Sequence, residues 1–255
     1  MIIKTEAERH ILRECGKRLA EVLQSTAAMV RPGITGMELN EHAHRMIVSR
    51  GDTPAFLGHK GRKDKFPFPA VLCVSINGGI VHGVPKDEPI VEGDIVKLDC
   101  GIRHEGLYTD SALTVGVGAI AHEDETLLQA TKEALDAQIA TARSGAALGD
   151  IGHAAEAVAK KYKLGFPTVL GGHGVGRAVH EEPFIFNYGN PGEGQKLLEN
   201  QVVALEPMFS LGSGEIRLAD DGWTYEMVDG KHSAHFEHTV IIGTDGAEVI
   251  TRAES

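Results

Sequence analysis

The feature that most constrains how this 255-residue chain can fold is a repeat inside it. The strings EGDIVKLD at 92–99 and ENQVVALE at 199–206 align along their whole length, so Asp99 and Glu206 occupy equivalent places. A helical pair precedes each copy. TEAE at 5–8 has the capping-box pattern and opens a helix with Ile11, Leu12, Cys15, Leu19, Val22 and Leu23 on one stripe, ending near Pro32 and Gly33. TGME at 35–38 opens a second helix that runs to about Arg50. The arrangement returns over 122–143 and 148–164, where Arg143 and Gly145 echo Arg31 and Gly33, and Gly165 echoes Gly51 as the stop. A helix-helix-strand unit made twice, each copy delivering an acid to one point, implies an α+β fold. Its expected form is a curved antiparallel sheet with helices packed outside and a site where the halves meet. No Pro, Gly or Ser linker divides the halves (roughly 1–118 and 119–255), so residues 1–255 are expected to form a single domain. At 42% hydrophobic, the chain is long enough to bury a substantial core.

The acids sit where acids are costly. Asp99, Asp110, His173, Glu206 and Glu237 fall in the strings IVKLD, YTD, GGHGVGRAVH, VVALEP and HFEHTV, which otherwise read as buried strands. An unpaired carboxylate there costs several kcal/mol, and a metal ion is the simplest compensation. One strand Asp or Glu alone is more often a turn former or a hydrogen-bonded surface group. Five together point to metal. Four carboxylates and one imidazole are a hard, oxygen-dominated set, suited to a bridged pair of Mn, Fe, Co or Zn ions rather than to a thiolate-rich structural zinc site. Such pairs catalyse hydrolysis in phosphatases, nucleases and aminopeptidases.

The order of the strings carries a family resemblance. NGGIVHGVP at 77–85, then Asp99 and Asp110, then HGVGRAVHEEP at 173–183, EPM at 206–208 and EHTV at 237–240 resemble methionine aminopeptidases of the short bacterial type. The likeness covers nearly the whole chain. It implies the pseudo-two-fold "pita-bread" fold and removal of N-terminal methionine from short peptides and nascent chains. It implies two divalent ions held by Asp99, Asp110, His173, Glu206 and Glu237, with Asp110 and Glu237 bridging. Glu206 is then also the proton acceptor, His82 faces the incoming amide, and His180 faces the scissile carbonyl and its oxyanion. Cys73, Phe68 and Trp223 match the family's pocket positions, whereas Val179 replaces its usual phenylalanine. The loop LGHKGRKDKFPFPA at 57–70 is longer than usual and lacks the family's tyrosines. A proline-specific exopeptidase on the same fold, or a noncatalytic ribosome-binding relative, are the other classes this pattern admits.

Other chemistries are disfavoured. The glycines at 171–176 lack a following Lys-Ser/Thr and a βαβ context, so they do not read as a phosphate loop. No G-x-S-x-G string occurs. Cys15, Cys73 and Cys100 are an odd number without C-x-x-C spacing, which suits a reducing cytoplasm rather than a disulfide framework. The N-terminal string MIIKTEAERH is neither a signal peptide nor a membrane span, and the chain is expected to be a cytoplasmic monomer. The net charge of −11 argues against extended nucleic-acid binding by the surface as a whole. A local exception is the cluster Lys60, Arg62, Lys63 and Lys65, which reads as a solvated flap or as a contact with ribosomal RNA.

Overall fold

Four helices make the outer layer of the protein, whose computed structural model describes residues 1–61 and 65–252. Helix α1 (Glu6–Ala27) begins where Thr5 Oγ1 accepts the Glu8 amide at 3.2 Å. The Glu8 carboxylate accepts the Lys4 amide rather than that of Thr5, so the reciprocal half of the expected box is displaced by one residue. The helix also stops short of Pro32: Met29 and Val30 donate to Thr26 and Ala27, tightening the chain into i→i+3 turns. Helix α2 (Gly36–Ser49) has the full capping box between Thr35 and Glu38, and Gly51 at φ 78° follows its end. Helices α3 (His122–Thr141) and α4 (Leu148–Tyr162) repeat the pair. The left-handed residue after α4 is Lys163, at φ 58°, and not Gly165. Gly165 is needed for packing instead, since a Cβ there would lie 2.1 Å from the Gly212 carbonyl oxygen.

The first half supplies strands β1 (Thr53–Pro54), β2 (Cys73–Ile76), β3 (Gly79–Val81), β4 (Ile95–His104) and β5 (Leu107–Gly116). The second supplies β6 (Gly171–Gly174), β7 (Glu181–Phe186), β8 (Val202–Leu205), β9 (Met208–Ser210), β10 (Ile216–Leu218), β11 (Tyr225–Met227), β12 (Ser233–His235), β13 (Glu237–Ile242) and β14 (Ala247–Val249). One nine-stranded antiparallel sheet runs β1-β4-β5-β13-β8-β6-β7, with β2 also on β4 and β14 on β13. The halves join where β5 meets β13, Ala112 opposite Glu237 and Ser111 opposite His238. Two small sheets, β10-β11-β3 and β12-β9, complete the fold.

Alternation along β4 separates the layers. Val96, Leu98, Cys100 and Ile102 pack under α1 and α2 with Cys15, Leu19, Val22 and Leu39. The opposite face carries Lys97 and Asp99. In the second half, Val203, Leu205, Val240 and Ile242 likewise pack against Leu135 and Ile151 of the outer helices. Lys97, only 1% exposed, donates through Nζ to the carbonyls of Asn77 (2.6 Å) and Ser233 (2.9 Å), tying the turn before β3 to β12. Burial holds its pKa well below that of an ordinary lysine.

The glycines of β6 let three strands approach closely. A Cβ on Gly172 would lie 2.3 Å from the Ala204 carbonyl oxygen, and backbone cannot move aside. Gly172→Ala is therefore expected to destabilise the protein by about 1–3 kcal/mol through overpacking. Urea denaturation of the two proteins measures this, and an unchanged midpoint would refute the close-packing account.

Candidate metal centre and substrate pocket

Strand register assembles the centre. Cys73 on β2 stands opposite Asp99 on β4, Asp99 opposite Ala112 on β5, and Ala112 opposite Glu237 on β13. Across β13, His238 pairs with Leu205, which places Glu206 next in line beside Glu237. Asp110 is two residues from Ala112, and Ala204, two before Glu206, pairs with His173 on β6. Directly paired residues and every second residue share one face of a sheet, so all five predicted donors project from the inner face. Donor atoms of Asp99, Asp110 and Glu237 lie within 4.8 Å of one another, as do those of His173, Glu206 and Glu237. Glu237 belongs to both groups. A further group joins Asp110 and His173 to His180, the predicted carbonyl-facing histidine.

The electrostatics of this cluster call for cations. Asp99, Asp110, Glu206 and Glu237 are all buried, and Asp99 Oδ1 and Glu237 Oε1 have no hydrogen-bond partner. Burial first, and then repulsion by the neighbouring carboxylates, raises the pKa of all four well above the usual range. His173 complements them. A carbonyl can only accept, so His173 Nδ1–H donates to Gly174 O at 2.9 Å, and Nε2 turns its lone pair toward Glu206 Oε1, 3.3 Å away. Burial lowers its pKa to about 4, which keeps the ring neutral and able to ligate. Two divalent ions would match the four carboxylate charges and satisfy the orphaned oxygens, so these residues fit the expected pair. Second contacts hold the carboxylate-bearing strands: Thr239 Oγ1 donates to Asp110 O at 2.7 Å, and Ser111 Oγ to Glu237 O at 2.7 Å.

A cavity of about 930 Å³ opens over the centre. Its apolar end is lined by Phe56, Phe68, Cys73 and Trp223, which pack in one cluster with Ala70 and Val179, and the Phe68 and Trp223 rings meet edge to face at 5.2 Å. The small sheet explains how Trp223 reaches it. Tyr225 pairs with Val81, so the turn carrying Trp223 stands beside His82, and Asp221 Oδ1 fixes that turn by accepting the amides of Trp223 and Thr224. His82 itself holds φ 57°, a strained conformation of the kind that collects at functional sites, with its ring 6.3 Å from Trp223 and 5.9 Å from Tyr225. His180 stands at the mouth, 4.5 Å from the His173 ring and 5.3 Å from that of His59.

The residues at the site that the sequence alone did not single out include Phe56, His59 and His235. Phe56 and His59 come from the loop before β2, and nothing in their local pattern distinguishes them. His235 is 1% exposed, and its Nε2 lies 3.4 Å from Glu206 Oε2. Its signal was its place two residues before Glu237, on a strand that turns straight into the centre. His42, His122 and His153 are partly or fully solvent-exposed helical residues away from the centre, whereas half-buried His232 pairs with Asp124 at 2.8 Å. Of the basic cluster, Lys60 and Lys65 are exposed, and Arg62 and Lys63 lie outside the described residues.

Residues 10–244 match the sequence model of metallopeptidase family M24. The chain belongs to that family. It is 41% identical to the methionine aminopeptidase of Clostridium perfringens over 98% of both chains, and 43% identical to that of Aquifex aeolicus over 98% of this chain and 99% of the other. The crystal structure of methionine aminopeptidase from Rickettsia prowazekii superposes with a TM-score of 0.93 at 38% identity, covering 98% of this chain and all of that one (100%). An Xaa-Pro dipeptidase from Bacillus anthracis shares the fold, with a TM-score of 0.77 at 20% identity, and this chain spans 63% of its length. The curled antiparallel sheet with four outer helices is thus the pita-bread fold of M24 peptidases, as the repeat and the family resemblance implied.

The metal-free M24 peptidase has a predictable pH response. His173 and His235, lowered by burial to about 4 and about 3, are protonated more in the unfolded chain, so below pH ~6.5 they make stability rise with pH. The four raised carboxylates bind more protons in the folded state, so their contribution falls as pH rises. Above pH ~6.5 the histidines are neutral in both states, leaving four carboxylates whose contribution falls as pH rises, opposed by the single buried Lys97, whose lowered pKa makes its contribution rise. Chelator-treated protein is expected to melt at a lower temperature at pH 8.5 than at pH 6.5, and a divalent ion should reduce that difference. A melting temperature that rises over this interval would contradict the carboxylate assignment.

Proposed function

We propose that this M24 peptidase removes the N-terminal methionine from short peptides and nascent chains in the cytoplasm, as one catalytic domain using two divalent ions. The observation that carries the reading is the junction of the five-donor centre with an apolar pocket in one cavity. Mn, Fe, Co and Zn all suit this donor set, and availability selects among them. Asp99, Asp110, His173, Glu206 and Glu237 would hold the pair, with Asp110 and Glu237 shared. When bound, the ions polarise the scissile carbonyl and lower the pKa of the attacking water.

The protein's own groups do the rest. Phe68, Cys73 and Trp223 enclose an unbranched thioether, and Val179, smaller than phenylalanine, packs in the same cluster as these side chains. Glu206 takes the proton of the attacking water and returns it to the leaving amine, a relay its position between His173 and Glu237 permits. His82 orients the substrate amide, and His180 donates to the oxygen that gains charge in the tetrahedral state. The absence of any helix long and apolar enough to cross a membrane, among the described residues, and three buried free thiols support the cytoplasmic setting.

Two variants test the assignments. Asp110→Ala removes a carboxylate that would serve both ions, so turnover of Met-Ala-Ser and metal content by elemental analysis should both collapse while the fold persists. An active, metal-loaded variant would refute the centre. His180→Ala should keep its metals and lose roughly 10²–10³-fold in kcat, the cost of one oxyanion donor in other hydrolases. Loss of metal from this variant would instead make His180 a ligand. A panel comparing Met-Ala with Ala-Pro separates this reading from a proline-directed exopeptidase, which predicts the opposite preference.

A further inference from the structure

His235 is the most confined group of the site that the five-donor reading leaves without a task. Its side chain is 1% exposed, and neither ring nitrogen has a hydrogen-bond partner. The backbone beneath it is clamped on two sides. Its amide donates to Thr114 Oγ1 at 3.0 Å, and the same hydroxyl donates back to the His235 carbonyl at 2.6 Å. On the other side, His235 pairs with Met208, and the Phe236 amide donates to Pro207 O at 3.4 Å, bracketing the residues that follow Glu206. The ring is therefore aimed, with Nε2 at 3.4 Å from Glu206 Oε2 and 3.9 Å from Glu237 Oε2.

Glu206 lies between two imidazoles that differ in one respect. His173 has committed Nδ1–H to Gly174 O, so its Nε2 faces Glu206 Oε1 as a lone pair, and a cation, or in the metal-free protein a proton on Glu206, reconciles the two atoms 3.3 Å apart. His235 has committed neither nitrogen. A neutral ring places its single N–H where an acceptor waits, and Glu206 Oε2 is the acceptor nearest to Nε2.

We propose that His235 is a positioning residue: it donates Nε2–H to Glu206 Oε2, fixing the carboxylate so that Oε1 turns to the ion shared with His173. This rests on the two-metal reading and assigns a task to a residue outside the five donors. Ligating carboxylates are commonly held by such outer hydrogen bonds, and losing one costs about 10–100-fold in metal affinity or activity. A purely structural role predicts that an apolar replacement lowers the melting temperature of the metal-free protein; the positioning role does not. In the metal-free protein two unpartnered buried nitrogens destabilise the fold, so an apolar replacement of similar size should leave its stability equal or improved.

The test uses the full chain as wild type, His235→Leu and His235→Gln. Each metal-free protein is melted in the presence of chelator, titrated with Mn²⁺ by calorimetry, and assayed on Met-Ala-Ser. His235→Leu should melt at or above the wild-type temperature, bind Mn²⁺ about 10–100-fold more weakly, and lose kcat with little change in KM. His235→Gln, which keeps an N–H donor, should recover most of the affinity. Wild-type affinity in His235→Leu overturns the proposal, as does weak binding that glutamine fails to restore. A fall from two bound ions to one in His235→Gln also overturns it, making His235 a ligand. If His235→Leu fails to fold, the glutamine variant decides alone: affinity within a few fold of wild type supports positioning, and a large loss refutes it. Wild-type protein that binds no Mn²⁺ and cleaves no Met-peptide would refute the two-metal reading itself, an outcome distinct from either result on His235.

Discussion

Mutual repulsion among four buried carboxylates on one sheet face is the constraint around which the rest of the molecule is arranged. Asp99, Asp110, Glu206 and Glu237 come from four different chain segments and point the same way because register leaves them no alternative. Such a cluster survives only if much else is stable. The apolar layers beneath α1 to α4 supply that stability, Lys97 and Thr239 anchor the strands, and the glycines of β6 bring His173 to the edge of the cluster.

In the proposed reading, specificity and chemistry come from different layers. The large sheet carries the five donors, while the small sheet β10-β11-β3 brings Trp223 and the strained His82 to the cavity from the opposite side. A change in the turn at 219–224 can therefore reshape the pocket without moving a donor. The loop before β2 closes the cavity with Phe56, His59 and Phe68, which gives the departures at 57–70 a place to act on selectivity.

Much of this was legible in the sequence, for identifiable reasons. The duplication of EGDIVKLD and ENQVVALE exposed both the two-fold plan and the equivalence of Asp99 and Glu206, because each half must bury its own apolar face. An acid in an apolar run is conspicuous, so each predicted donor could be picked out one string at a time. Relations between strings were not legible. The row Cys73, Asp99, Ala112, Glu237 depends on pairing across three strand interfaces, and no local pattern encodes it. His235 escaped notice because HFEHTV already accounts for Glu237, and an adjoining histidine has a bland reading until its ring is seen beside Glu206. At the helix ends the pattern found the starts better than the stops: Thr5 and Thr35 cap as expected, whereas Lys163 took the left-handed position assigned to Gly165.

The seam between β5 and β13 carries a further consequence. Asp99 and Asp110 belong to the first half of the chain, and His173, Glu206 and Glu237 to the second; the strands of the two halves pair at this seam through Ala112 and Ser111 with Glu237 and His238, and again where β3 meets β11. Neither half contains a complete ligand set. Ions that bind the joined halves and not the separate ones contribute to holding them together, by the same mass action that makes any ligand favour the state it recognises. A centre loaded as proposed would be a fastening as well as a catalyst, and would couple the assembly of the two halves to the supply of metal.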